Sequence, residues 1–241
     1  MSFSKAALAG ATATIAAAAA IITNEDLDRR AAARFAAASL ETLLNAIDAN
    51  DADTGAHVRR VATYALILAE FADLTKADQR MVERVALFHD IGKIHEALFD
   101  IIHEDRTLTP AERRSIITHP QRGADVLAPL SGFYPELPEG VLSHHERWNG
   151  TGYPRGLKAG EIPAGGRILA VVDAYERMTV GRVHRPAGSR EQAFDELRRL
   201  RGRQFDPEVV DAFERMIPVL DGTSEALAPE TREADVADAG R

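Results

Sequence analysis

The sequence predicts an all-α fold. Apolar residues recur at spacings of three and four, the stripe of an amphipathic helix. Aromatics are 6% of the 241 residues against 45% apolar, and much of the apolar count is alanine. That composition suits closely packed helices better than a sandwich, where aromatic and β-branched residues dominate. No stretch alternates apolar and polar residues over the length of a strand.

The elements follow in order. Ala6 to Ile22 is apolar and Ala-rich, and Lys5 is the only charged residue before it. It is short for a membrane span of about 20 residues, and alanine contributes little transfer energy. It runs into Glu25, Asp26, Asp28, Arg29 and Arg30 without a cleavage motif. It reads as a helix that joins the domain to an input module or pairs two copies of the chain. A membrane anchor is the alternative to an otherwise cytoplasmic location. Leu40, Leu43, Leu44 and Ile47 continue the helical stripe. After a break at Asn50 to Gly55, helices are expected from about His57 to Phe71 and from Lys76 to Asp90. Thr109-Pro110-Ala111-Glu112 starts another, with Thr as N-cap, Pro at the first position and Glu three residues on. It should end near Thr118. Val141 to Arg147 reads as a short helix that stops in a loop holding Gly150, Gly152, Pro154, Gly156 and Gly160. Further helices are expected over Arg167 to Thr179 and Ser189 to Leu200, with a last one capped by Asp206. Beyond Pro218 the chain turns acidic and poor in large apolar residues, which predicts a loose tail.

Composition excludes some chemistry. There is no cysteine, so disulfides, thiolate-held zinc and thiol nucleophiles are ruled out. The net charge is −8 and the pI about 5.5, without the basic excess of a nucleic-acid-polymer binder. An anionic small substrate remains open if metal ions supply local positive charge.

The chemistry-bearing residues are histidines and aspartates. His89-Asp90 closes an apolar helix and is followed by Gly92-Lys93. Gly allows a close turn, and Lys93 projects a cation suited to a phosphate oxygen. His144-His145, adjacent on a short helix, can address two different ions, while His119 follows a capped helix. Asp173 sits in the apolar run Ile168 to Ala174, where an unpaired carboxylate is costly to bury; a metal or an N–H or Arg partner would resolve that. His57 lies four residues after Asp53, so both can face one site. Each residue alone is equally a surface or hydrogen-bonded side chain. Together, imidazole and carboxylate ligands on several helices point to a cluster of first-row transition metals.

His89-Asp90-Ile91-Gly92-Lys93, His119-Pro120, His144-His145-Glu146 and Gly150-Thr151-Gly152-Tyr153-Pro154 occur in the order of the HD-GYP motifs. The chain resembles that family from about Asp53 to Ile217. The resemblance implies an all-helical HD-superfamily bundle with a metal centre in its core, two or three divalent metals (most often iron or manganese), and hydrolysis of cyclic di-GMP to pGpG, with GMP if a second cut follows. It divides the chain into a helical segment over 1–50, an HD-GYP domain over 51–220 and an acidic tail over 221–241. It implies His57, His89, Asp90, His119, His144, His145 and Asp173 as metal ligands, with Asp90 bridging two ions and Asp53 as candidate ligand of a third. Asp53 is one methylene shorter than the glutamate of three-metal members. The resemblance also implies that Lys93 contacts the scissile phosphate, that Arg182 and Arg185 hold substrate, and that Tyr153 lines the cavity. The Gly150 to Pro154 loop would dock a diguanylate cyclase or another signalling protein. The alternatives are a module that binds the nucleotide without turnover and a phosphohydrolase for another nucleotide.

Overall fold

The computed structural model describes residues 26–94, 109–181 and 186–226. The Ala-rich run over 6–22, residues 95–108, the tail from 227 onward and Arg182 and Arg185 lie outside them. Among the described residues every regular element is helical, and strand-type pairing is limited to two isolated bridges, Asn149 with Lys158 and Arg201 with Phe205.

Helix α1 (Asp26–Asn50) buries Leu40, Leu43 and Ile47 of the stripe read from the sequence, adds Ala36, and leaves Leu44 half-buried. Helix α2 (Ala52–Phe71) starts about one turn before expectation. The cause is Asp51, whose carboxylate accepts from the Asp53 N–H at 3.0 Å and caps the first turn. Helix α3 (Lys76–Phe88) is capped by Thr75 and stops short of His89-Asp90, which fall in a turn leading into a 3-10 turn over Ile91–Lys93. Helix α4 (Pro110–Ile117) carries the expected capping box between Thr109 and Glu112. The chain then opens a further helix, α5 (His119–Leu127), which the sequence reading did not contain; Pro120 stands in its first turn.

Helix α6 (Glu136–Ser143) lies earlier than the expected Val141 to Arg147. Glu136 and Glu139 suit its first turn, and His144 is already its C-cap, so His144-His145 leave the helix at its end. Helix α7 (Ala164–Thr179) follows Pro163, and α8 (Arg190–Leu200) is opened by a capping box of Ser189 and Gln192. The last helix, α9 (Pro207–Ala226), is capped by Asp206, which accepts from the Glu208 N–H at 2.9 Å. It continues through Pro218, where the sequence suggested a tail, because Met216 and Ile217 just before it are held in the core.

Helix α2 packs on α3 and α7, with α1 and α9 along its outer side. Helices α3, α6 and α7 meet one another, and α5 closes on α6 and on the 3-10 turn. One apolar core runs through these helices, with Phe88, Phe205 and Phe213 fully buried. Each such side chain contributes about 1.5–3 kcal/mol relative to exposure. The end of α3, the start of α5, the end of α6, the second turn of α2 and the middle of α7 converge on one place. No helix among the described residues is long and apolar enough to cross a membrane.

Candidate metal centre

At that convergence the polar residues are buried: His57, His89, Asp90, His119, His144 and Asp173 are exposed by 8% at most. Two ligand groups form, His57 with His89 and Asp90, and His119 with His144 and His145; within each, the ligand atoms lie within 4.8 Å of one another. Both adjacent histidines therefore fall in the second group. Asp90 stands between the groups. Its Oδ2 is 3.4 Å from His89 Nε2 and its Oδ1 is 3.4 Å from His119 Nε2. Asp173 Oδ1 joins the first group at 3.3 Å from His57 Nε2 and 3.9 Å from His89 Nε2.

Four histidines are oriented in the same way. Nδ1 of His89 bonds the Ala86 carbonyl at 2.8 Å, that of His119 the Ile116 carbonyl at 2.7 Å, and that of His144 the Val141 carbonyl at 2.6 Å. His57 Nδ1 bonds Glu176 Oε2 at 2.7 Å. A carbonyl can only accept, so each of those rings carries its proton on Nδ1 and turns the Nε2 lone pair inward. This outer support is what metal-binding imidazoles have.

Several inward atoms are left without partners. His57 Nε2, His89 Nε2 and Asp90 Oδ1 are buried and make no hydrogen bond. His119 Nε2 and His144 Nε2 face each other at 3.0 Å. Two lone pairs at that distance repel unless a cation comes between them. Burial pushes His119 down to about 4 and His145 down to about 3, and it holds His144 well below the usual range, with the neighbouring imidazoles adding to the effect. The rings are thus neutral at pH 7, the state that ligates. Orphaned buried atoms and opposed lone pairs both fit divalent metal ions.

Burial alone would raise the two carboxylates. The fields of His89 and Lys93 at Asp90, and of Arg177 at Asp173, hold both well below the ordinary carboxylate range. Burial lowers Lys93, which donates to Asp90 Oδ2 at 2.7 Å. Burial would also lower His57, but the Asp173 and Glu176 carboxylates beside it outweigh that, and the ring's pKa is raised.

The Gly150 to Pro154 loop closes one side. Tyr153 is half-buried, its ring 4.9 Å from that of His145, and burial pushes its hydroxyl up to about 12. Glu146 is buried and accepts from the backbone N–H groups of Arg155 at 2.8 Å and Leu157 at 3.1 Å, which ties the loop back to α6. Gly92 is demanded by packing: a Cβ there would lie 2.1 Å from the His119 carbonyl oxygen.

Asp53 is not brought to the centre. It is exposed in the first turn of α2 and belongs to neither ligand group. The early start of α2 places it at the helix end, one turn from His57. The sequence reading missed Glu176, Arg177 and Arg60. Glu176 accepts from His57 and from Arg60 Nε at 2.8 Å and Nη2 at 2.6 Å. Arg177 Nε donates to Asp173 Oδ1 at 2.7 Å. The signal was present, since Glu176 and Arg177 follow Asp173 by three and four residues and so share its face of the helix.

A sequence profile described as HD domain matches residues 41–209, most of the chain. The chain belongs to the HD domain family. The HD-GYP resemblance read from its motifs stands, as relatives of that kind are found. The chain is 36% identical over 176 residues to a cyclic di-GMP phosphodiesterase of Thermotoga maritima, which covers 72% of this chain and 47% of the relative. It is 33% identical over 171 residues to the 3′3′-cGAMP-specific phosphodiesterase 2 of Vibrio cholerae, covering 70% of this chain and 32% of the relative. This HD chain thus spans between a third and a half of the length of these relatives. A crystal structure of a cyclic GMP-AMP-specific phosphodiesterase of Vibrio cholerae superposes with a TM-score of 0.56 at 22% identity, over 79% of this chain and 50% of that one, and shows the shared fold.

Proposed function

We propose that the chain is a metal-dependent phosphodiesterase that hydrolyses cyclic di-GMP to pGpG and then to GMP. The observation that carries this is Asp90, one carboxylate between two histidine groups, with its own Oδ1 and the Nε2 atoms of His57 and His89 buried without partners and the His119 and His144 Nε2 atoms opposed at 3.0 Å. His57, His89, Asp90 and Asp173 would hold one ion, and Asp90, His119, His144 and His145 a second. Iron or manganese suits these nitrogen and oxygen donors. When bound, such ions polarise a phosphoryl oxygen and make water a nucleophile near neutral pH.

The chain's own groups do the rest. The carbonyls behind His89, His119 and His144 and the Glu176 carboxylate behind His57 keep the imidazoles aimed inward. Lys93 donates to Asp90, is 17% exposed, and would hold a non-bridging phosphate oxygen. In the reaction a water oxygen bonds to phosphorus, the bond from phosphorus to the 3′ oxygen breaks, and the released proton ends on that 3′ oxygen. Tyr153 and the loop that Glu146 ties down would wall the cavity and keep bulk water from the phosphate.

The named relatives support a cyclic dinucleotide as substrate class, and they include enzymes for both cyclic di-GMP and 3′3′-cGAMP. The test is hydrolysis of each nucleotide by protein purified without oxygen and loaded with iron or manganese. Cyclic di-GMP should give pGpG and then GMP, with at least two metal ions per chain. Asp90→Ala should remove both metal and turnover while the circular dichroism stays helical. Turnover of 3′3′-cGAMP alone would move the substrate assignment, and no turnover of either by a metal-loaded chain would leave a binding module.

A further inference from the structure

We propose that Arg177 is a second phosphate-gripping side chain of this site, alongside Lys93; the proposal rests on the phosphodiesterase reading above. Lys93 and Arg177 come from different elements, the 3-10 turn and α7, and approach the same carboxylate oxygen. Lys93 Nζ is 2.7 Å from Asp90 Oδ2, and Arg177 Nη2 is 3.8 Å from it. The second distance is beyond hydrogen-bond length. Among the described residues the guanidinium makes one hydrogen bond, from Nε to Asp173 Oδ1 at 2.7 Å. Nε is thereby anchored and the two Nη groups remain available in a planar fork of fixed orientation, the geometry that takes two phosphate oxygens.

Exposure points the same way. Side-chain exposure rises from 0% at His89 and 5% at Asp90 to 12% at Asp173, 17% at Lys93 and 32% at Arg177. Arg177 is therefore the most exposed charged side chain of this set, at the edge of the buried centre. Charge supplies the need for an anion. Asp90 and Asp173 are already matched by Lys93 and Arg177, so divalent ions bound beside them leave the centre positive. A guanidinium cannot shed its proton to relieve this. A phosphodiester can, by placing its charged oxygens between the ions and the fork.

A purely structural role is the rival, in which Arg177 only holds Asp173 through an ion pair four residues apart on α7. Metal-loaded wild type, Arg177→Ala and Arg177→Lys separate the two. The measurements are elemental metal content, calorimetric titration with inorganic phosphate, and KM and kcat for the cyclic dinucleotide. Metal content should hold in both variants. Phosphate affinity should fall by at least about tenfold in Arg177→Ala, with partial recovery in Arg177→Lys, which restores the charge without the fork. KM should rise in parallel. Should Arg177→Ala not fold, Arg177→Gln is read in the same way. Wild-type phosphate affinity in the variant overturns the proposal, and so does loss of metal without a separate loss of phosphate binding. A metal-loaded wild type that binds no phosphate and cleaves no cyclic dinucleotide overturns the phosphodiesterase reading and this proposal with it.

Discussion

Replacing Glu176 by alanine should weaken both the fold and the metal centre. The carboxylate is 1% exposed and accepts three hydrogen bonds, from His57 Nδ1 at 2.7 Å and from Arg60 Nε and Nη2 at 2.8 and 2.6 Å. Breaking a buried charged pair costs about 3–5 kcal/mol. Arg60 is 42% exposed and can return to water, so its share is discounted. The buried His57 N–H has no such recourse and loses about 1–3 kcal/mol. The sum is about 2–4 kcal/mol of stability in the metal-free protein. Metal affinity should fall roughly 10–100-fold, as when outer support is taken from a ligand histidine. Glu176→Gln should fall between, because its amide oxygen still accepts from His57 without the charge. Burial would raise the Glu176 pKa, but the bonds from His57 and Arg60 hold it below the usual 4.5. A depressed folded value means the contribution is present above about pH 4.5 and fades as pH falls through the depressed value. Denaturant titration of metal-free protein at pH 7 and pH 4 gives the stability terms, and a competition titration with a chelating dye gives the affinity. Wild-type midpoints and wild-type metal affinity in Glu176→Ala would refute the idea that this carboxylate orients His57.

Two further outcomes follow from the packing and the proton balance. Gly92→Ala should cost at least about 1–3 kcal/mol and lower metal content, because its Cβ would sit 2.1 Å from the His119 carbonyl and 2.7 Å from the Gly123 nitrogen, both of them backbone; thermal unfolding and elemental analysis check this, and a fully metallated variant of unchanged stability would count against the close approach. The two ligand groups should differ in acid sensitivity: His57 is raised and binds a proton in competition with metal as pH falls, while His119 at about 4 and His145 at about 3 stay neutral, so metal content measured from about pH 8 down to about pH 5 should drop first at the His57 group, and loss from the His119 group first would reverse the assignment.

Much of this protein was legible in the sequence because it is local. Capping residues and apolar spacing act within one or two turns, so Thr109 to Glu112, Ser189 to Gln192 and the stripe of α1 were readable where they stand. His89-Asp90, His119 and His144-His145 were legible as metal-type residues, since ligand chemistry belongs to the side chain itself. What needed the tertiary structure was arrangement. The one-turn extension of α2 leaves Asp53 at the surface while His57 is buried. The early stop of α6 turns both adjacent histidines toward His119. Glu176 serves His57 from 119 residues away in the chain. The pairing of Arg177 with Asp173 could be read from their spacing, but its approach to Asp90, 87 positions earlier in the chain, was decided by packing. A sequence specifies which groups can ligate or donate, through propensities that decay within a few residues. Which lone pairs end up buried, opposed and without a partner is decided by packing among helices far apart in the chain, because only packing excludes the water that would otherwise satisfy them.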